Sequence, residues 1–75
     1  MHLKRVGNLI TGFETPYGME LLATVHWVAQ EDAQAAIDSE RAIVRVQEWS
    51  DRKRKLFKPD HIRKAWQRLR EQNWL

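Results

Sequence analysis

Seventy-five residues, 43% of them hydrophobic and with a formal net charge of +3, make one small domain at most. A chain of this length buries only about 60–65% of the surface that its unfolded form exposes. With no cysteine, neither disulfides nor a thiolate metal site can compensate for the small core. No apolar run approaches the roughly 18 residues of a membrane span and residues 1–20 lack a secretory leader pattern, so a cytoplasmic protein with no membrane partner is expected.

The net charge conceals an asymmetry. Residues 1–49 hold 4 Lys/Arg against 7 Asp/Glu, and residues 50–75 hold 9 against 3. Such a split suits either a polyanionic or acidic partner for the C-terminal half, or a solvated basic face.

In chain order, Leu3, Val6, Ile10 and Phe13 recur with helical spacing, although Gly7 inside the segment costs about 1 kcal/mol relative to alanine. Gly12 and the following Glu-Thr-Pro interrupt it. Thr15-Pro16 reads as a helix start, because a threonine hydroxyl caps free N–H groups and proline suits the first helical position. From Pro16 to Gln30 the only formal charge is Glu20. Tyr17, Leu21, Thr24, Val25 and Val28 share one face, while Met19, Ala23 and His26 lie opposite. A helix apolar on most sides is expected to be the central one, covered on both faces.

Gln30 to Ile37, QEDAQAAI, shows no clear stripe and reads as a linker or a frayed extension. Asp38 can cap a helix running to about Trp49, with Ala42, Val46 and Trp49 on one face beside Ile43. Ser50 to Lys55 reads as a basic connector. Pro59 and Asp60 open the last helix, Phe57 can staple onto Ile62, and Ile62, Ala65, Trp66 and Leu69 form its apolar stripe. Asn73 can take the left-handed position that ends it and returns Trp74 onto Leu69. The expected fold is all-α, a small bundle of about four helices, with a helix-turn-helix or winged-helix likeness. All four tryptophans have core or edge positions in it.

No catalytic residue is expected. Ser39 and Ser50 lie outside any nucleophile elbow. His2, His26 and His61 are isolated, Glu20 and His26 are six apart and share no helix face, and no glycine-rich phosphate loop is present. Neither a metal nor a cofactor is implied. His26-Trp27 reads first as packing, and second as an aromatic edge turned to a partner, since tryptophan and tyrosine are favoured interface anchors. The basic set Arg52, Lys53, Arg54, Lys55, Lys58, Arg63, Lys64, Arg68 and Arg70 fits either a solvated face or contacts to DNA phosphates from a recognition helix and its approach.

The stretches GFETPYGMELLATVHWV and AIVRVQEWSDRKRKLFKPDHIRKAWQRLREQNWL resemble the C-terminal end of the DarG-type antitoxins. The resemblance rests on the order and spacing of Gly12 to Gly18, Val25-His26-Trp27, Trp49, Arg52-Lys53, Phe57 and His61-Ile62. It implies a single C-terminal interaction domain over residues 1–75, in a family whose N-terminal macrodomain removes ADP-ribose from DNA. The partner implied is the cognate NAD-dependent DNA ADP-ribosyltransferase toxin, neutralised by direct binding. Seventy-five residues leave no room for a macrodomain, so hydrolase chemistry transfers to no residue here. The basic half does not suit an element that imitates DNA.

Three functions follow as expectations. The first is a non-catalytic toxin-binding module, with Glu14, Tyr17, Glu20, His26 and Trp27 as partner-contacting candidates. The second is a small DNA-binding domain using Arg52, Lys53, Arg54, Lys55, Lys58, Arg63 and Lys64. The third is a structural cap for a longer protein. Basic residues contiguous on one exposed face would favour DNA, and scattered ones a partner or a cap.

Overall fold

The computed structural model describes residues 12–75, and among them the chain forms five α-helices and no strand. They are α1 (Pro16–Glu31), α2 (Ala33–Ile37), α3 (Ser39–Trp49), α4 (Asp51–Leu56) and α5 (Pro59–Glu71). The all-α bundle expected from the periodicity is therefore what forms, without a β wing among the described residues. The helix expected around Leu3, Val6 and Ile10 lies outside the described residues. Phe13, assigned to that helix, instead sits in the non-helical approach to α1.

That approach explains the sequence GFETPYG. Gly12 takes a positive φ of 87°, where a side chain would be strained, and its N–H donates to Glu14 Oε1 at 2.8 Å. Thr15 Oγ1 accepts from the Gly18 N–H at 3.0 Å, with Pro16 at the first helical position. The backbone of Phe13 folds back onto Gly18: a Cβ there would lie 2.7 Å from the Phe13 carbonyl oxygen and 2.8 Å from its carbon.

From α1 to α4, consecutive helices are joined by single extended residues that serve both ends. Asp32 closes α1 by donating its N–H to the Val28 carbonyl (2.9 Å) and opens α2 by accepting from the Gln34 N–H (3.0 Å). Asp38 likewise ends α2 and accepts from the Glu40 N–H at the start of α3. Ser50 ends α3 and accepts from the Lys53 N–H of α4. Each such side chain satisfies a donor that the helix itself leaves orphaned.

Two stretches expected to be irregular are thus helical. QEDAQAAI breaks at Asp32 and resumes as α2, whose fully buried Ala35 fastens it to the core. Ser50 to Lys55 is not a connector but the body of α4. The sequence hides this helix because it buries no residue of its own. It is sustained instead by its cap, by Asp51 in the first turn and by Lys53, Arg54 and Lys55 in the last, signs that complement the helix dipole. An Asp51–Arg54 pair at 2.7 Å adds to it.

The core is built where α1 meets α3 and α5. Phe57, Leu21, Ile62, Leu69, Val25 and Val46 are its largest fully enclosed side chains. Phe57 precedes the cap of α5 and Ile62 is its fourth helical residue, both at 0% exposure, so the expected staple forms. The indole of Trp66 donates to the Ala35 carbonyl at 2.8 Å, tying α5 to α2. At the C-terminus, Asn73 adopts φ 63°, and the bonds Trp74 N–H to Leu69 O (2.8 Å) and Asn73 N–H to Arg70 O (3.1 Å) complete a Schellman closure.

The central position of α1 is only half as expected. Leu21, Thr24, Val25 and Val28 are buried, but the opposite face is not covered: Met19, Ala23 and Trp27 are exposed. Alanine in a helix ordinarily stabilises relative to glycine. At position 18 the sign reverses, because the backbone of Phe13 cannot give way as a flexible side chain would. Gly18→Ala is expected to destabilise the chain by about 2 kcal/mol, in the range of an overpacked contact, measured as a lowered urea midpoint at unchanged slope.

Candidate partner-binding surface

The exposed face of α1 meets the end of α3 in an aromatic patch. The rings of Trp27 and Trp49 stack with centroids 4.7 Å apart and planes 27° from parallel. Although paired, they keep 48% and 43% of their surface in solvent. Two large indoles left half-wet in so small a domain are a costly arrangement unless something covers them. Beside them runs a groove of about 220 Å³ between α1 and α3, lined also by Val28, Glu31, Arg45 and Glu48.

The stack is held from beneath by charge. Arg52 Nη1 lies 2.9 Å from Glu20 Oε2. Lys53 Nζ donates to the same oxygen at 3.2 Å and to Thr24 Oγ1 at 3.4 Å, and sits 4.6 Å above the Trp49 ring. Glu20 on α1 therefore positions Lys53 on α4, and Lys53 positions Trp49 by a cation–π contact. The Arg52 guanidinium first, and then the Lys53 ammonium, hold the Glu20 carboxyl below the usual glutamate range. Asp32 is lowered in the same way by Arg41 (2.9 Å).

The other partner-contacting candidates are engaged within the chain. Glu14 accepts from Gly12. The Tyr17 hydroxyl lies 2.7 Å from His61 Nδ1, at a cleft of about 210 Å³ that Phe13 and Lys64 also line. His26 meets Trp74 edge to face at 5.7 Å. Of the five, Trp27 alone presents a large free apolar surface. Trp49 is expected from the sequence as part of a helix stripe and not as a contact residue, and nothing in the sequence marks Glu31, Arg45 or Glu48. Trp49 shares the stripe of Ala42 and Val46, and its exposure follows from where α1 crosses α3, which periodicity does not encode.

The candidate DNA-contacting cations divide. Arg52 and Lys53 bind Glu20, Arg54 binds Asp51, and Arg63 binds both Glu40 (2.9 Å) and Asp60 (3.0 Å). Lys55, Lys58 and Lys64 make no ion pair among the described residues. Arg52, Lys53 and Arg63 thus fasten α4 and α5 to the acidic first half, while Arg54 pairs within its own helix. Among the described residues no cluster of side chains could hold a metal ion, and no described helix is long and apolar enough to cross a membrane.

Over 62 residues, 83% of its length, the chain is 41% identical to the DNA ADP-ribosyl glycohydrolases of Mycobacterium tuberculosis and Mycobacterium bovis. The chain is related to a segment of the DNA ADP-ribosyl glycohydrolases. It is also 43% identical over 61 residues to the enzyme of that name from Thermus aquaticus. The resemblance to the DarG-type family carried by GFETPYG and the later clusters is thereby borne out. The chain spans 17% of the length of the mycobacterial relatives and 16% of the Thermus one, so it corresponds to a small part of each. No protein-family model and no solved structure matches it.

The lowered Glu20 and Asp32 carboxyls have a consequence for stability. A carboxyl whose affinity for protons is reduced by folding contributes stability above its unfolded value and loses it as pH falls through the folded one. The denaturation midpoint is expected to decline from roughly pH 5 downward, and Glu20→Gln is expected to flatten that decline, seen by comparing midpoints between pH 6 and pH 3.

Proposed function

We propose that the chain is a non-catalytic interaction module of a glycohydrolase antitoxin, and that it binds the cognate DNA ADP-ribosyltransferase toxin through the Trp27–Trp49 face. The half-exposed indole stack carries this reading. Interface energy concentrates in a few residues, tryptophan and arginine foremost, set in a patch that a partner can desolvate. Trp27, Trp49 and Arg45 supply that composition on one side of the molecule. The kinship with a segment of the DNA ADP-ribosyl glycohydrolases supplies the context: a macrodomain performs hydrolysis elsewhere in such a protein, and this segment holds the toxin. Residues 1–75 act as one domain in this role, in the cytoplasm where toxin and DNA meet.

The immobilised 75-residue chain is expected to retain the toxin in a pull-down at micromolar concentration. Trp27→Ala is expected to weaken retention by about 30-fold, the effect of losing a hot-spot side chain, with the helical circular dichroism unchanged. Failure of the unaltered chain to retain toxin would remove the proposal.

Direct binding of DNA by the basic half stands second, and rests on Lys55, Lys58 and Lys64, the three of the seven candidate cations that form no ion pair among the described residues. Three phosphate contacts give a salt dependence with a log–log slope of about −2.7, against about −6 for all seven candidates. Titrating a duplex oligonucleotide at several salt concentrations is expected to show weak binding with the shallow slope.

A further inference from the structure

We infer that the groove beside the Trp27–Trp49 stack receives an arginine side chain presented by the protein partner. This rests on the reading of that face as the partner surface and gives its contact a specific chemistry.

The inference begins with the carboxylates. All ten Asp and Glu residues of the chain lie among the described residues. Six are in ion pairs, Asp38 caps α3 and Glu14 accepts from Gly12. Glu31 and Glu48 have no partner among the described residues, and both line the groove at the indole stack. The domain carries a net positive charge and pairs its acids so thoroughly that two free ones in a single groove, one from α1 and one from α3, define a complementary site.

Arg45 also lines the groove, its Nε 3.4 Å from Asp32 Oδ2, a carboxylate that Arg41 also binds at 2.9 Å, so the charged side chains lining the groove sum to one net negative charge. With one net negative charge and two carboxylates outside any ion pair among the described residues, the groove disfavours a nucleic-acid phosphate and attracts a cation. The indoles narrow the choice. Trp49 already carries a cation from within the chain, Lys53 at 4.6 Å from its ring centre, which leaves the half-exposed Trp27 indole to meet one from a partner. A guanidinium is planar and weakly hydrated, stacks on aromatic surfaces and offers five donors, so it can meet a carboxylate on either side while lying against indole. A lysine ammonium is more strongly hydrated and lacks the flat face. The volume of about 220 Å³ leaves room for one long side chain rather than a helix or a loop.

The test uses the full 75-residue chain labelled with 15N and the tripeptide acetyl-Gly-Arg-Gly-amide, with its citrulline counterpart as a neutral isostere. The arginine peptide is expected to shift the indole N–H resonances of Trp27 and Trp49 saturably, in the millimolar range of a single-residue ligand. The citrulline peptide is expected to bind at least about tenfold more weakly, as is the arginine peptide to a Glu31→Gln, Glu48→Gln double variant; a charge-assisted hydrogen bond accounts for that much. Both substitutions are on exposed side chains without partners, so the fold is retained.

Equal shifts with citrulline, or shifts confined to Trp66 and Trp74, would overturn the inference. A concentration-dependent dimer dispersed by the double variant would also overturn it, by giving the groove to a second copy of the chain. Toxin retention separates the two levels. Retention unaffected by the double variant overturns the arginine site and leaves the module's function standing, whereas loss of retention by the unaltered chain removes the function itself.

Discussion

The structure depends on the ability of single residues to end one helix and begin the next. Asp32, Asp38 and Ser50 each occupy an extended conformation between two helices and use a side-chain oxygen to satisfy the N–H groups that the following helix leaves open. With one residue per junction, α1 to α4 cannot drift apart, and so few residues can still surround a core centred on Phe57. Longer loops would cost ordering entropy that a chain of this size has little burial to offset. The economy has a second effect: Asp32 is both a junction and the anchor for Arg41 and Arg45, so the geometry of α1, α2 and α3 converges on one carboxylate.

Charge in this protein acts as a fastener between elements distant in sequence. Read along the chain, the acidic first part and basic last part suggest attraction to something outside. In the fold they meet each other: Glu20 binds Arg52 and Lys53 across more than thirty residues, and Glu40 binds Arg63. Exposed pairs of this kind contribute little individually. Their value here is positional, because Lys53 is set against Trp49 and thereby determines where the aromatic surface stands. The net charge of a half is therefore a poor guide to its free charge.

What could be read in advance was what is local. Thr15-Pro16, the Phe57–Ile62 staple and the Asn73 closure involve residues within five or six positions of one another, and each has a chemical signature that needs no knowledge of the rest of the fold. The stripes of α3 and α5 were legible for the same reason, each having one buried face. The two short helices were not, since α2 buries little beyond Ala35 and α4 nothing at all, leaving no periodicity to detect. The exposure of Trp27 and Trp49 was hidden more deeply. A tryptophan in an apolar run is ordinarily core, and only the crossing of α1 over α3 decides that these two face outward and touch.

That crossing also gives the surface an optical property. Two indoles stacked at 4.7 Å and 27° have transition dipoles close enough to couple, so the pair is expected to give an exciton couplet in the ultraviolet circular dichroism. Excitonic splitting of this kind depends steeply on distance and mutual angle, and Trp66 and Trp74, which do not stack on another indole, do not contribute to it. The face proposed for recognition thus carries its own label. Any event that slides or parts its two rings changes the circular dichroism of the unmodified protein, without a probe being added.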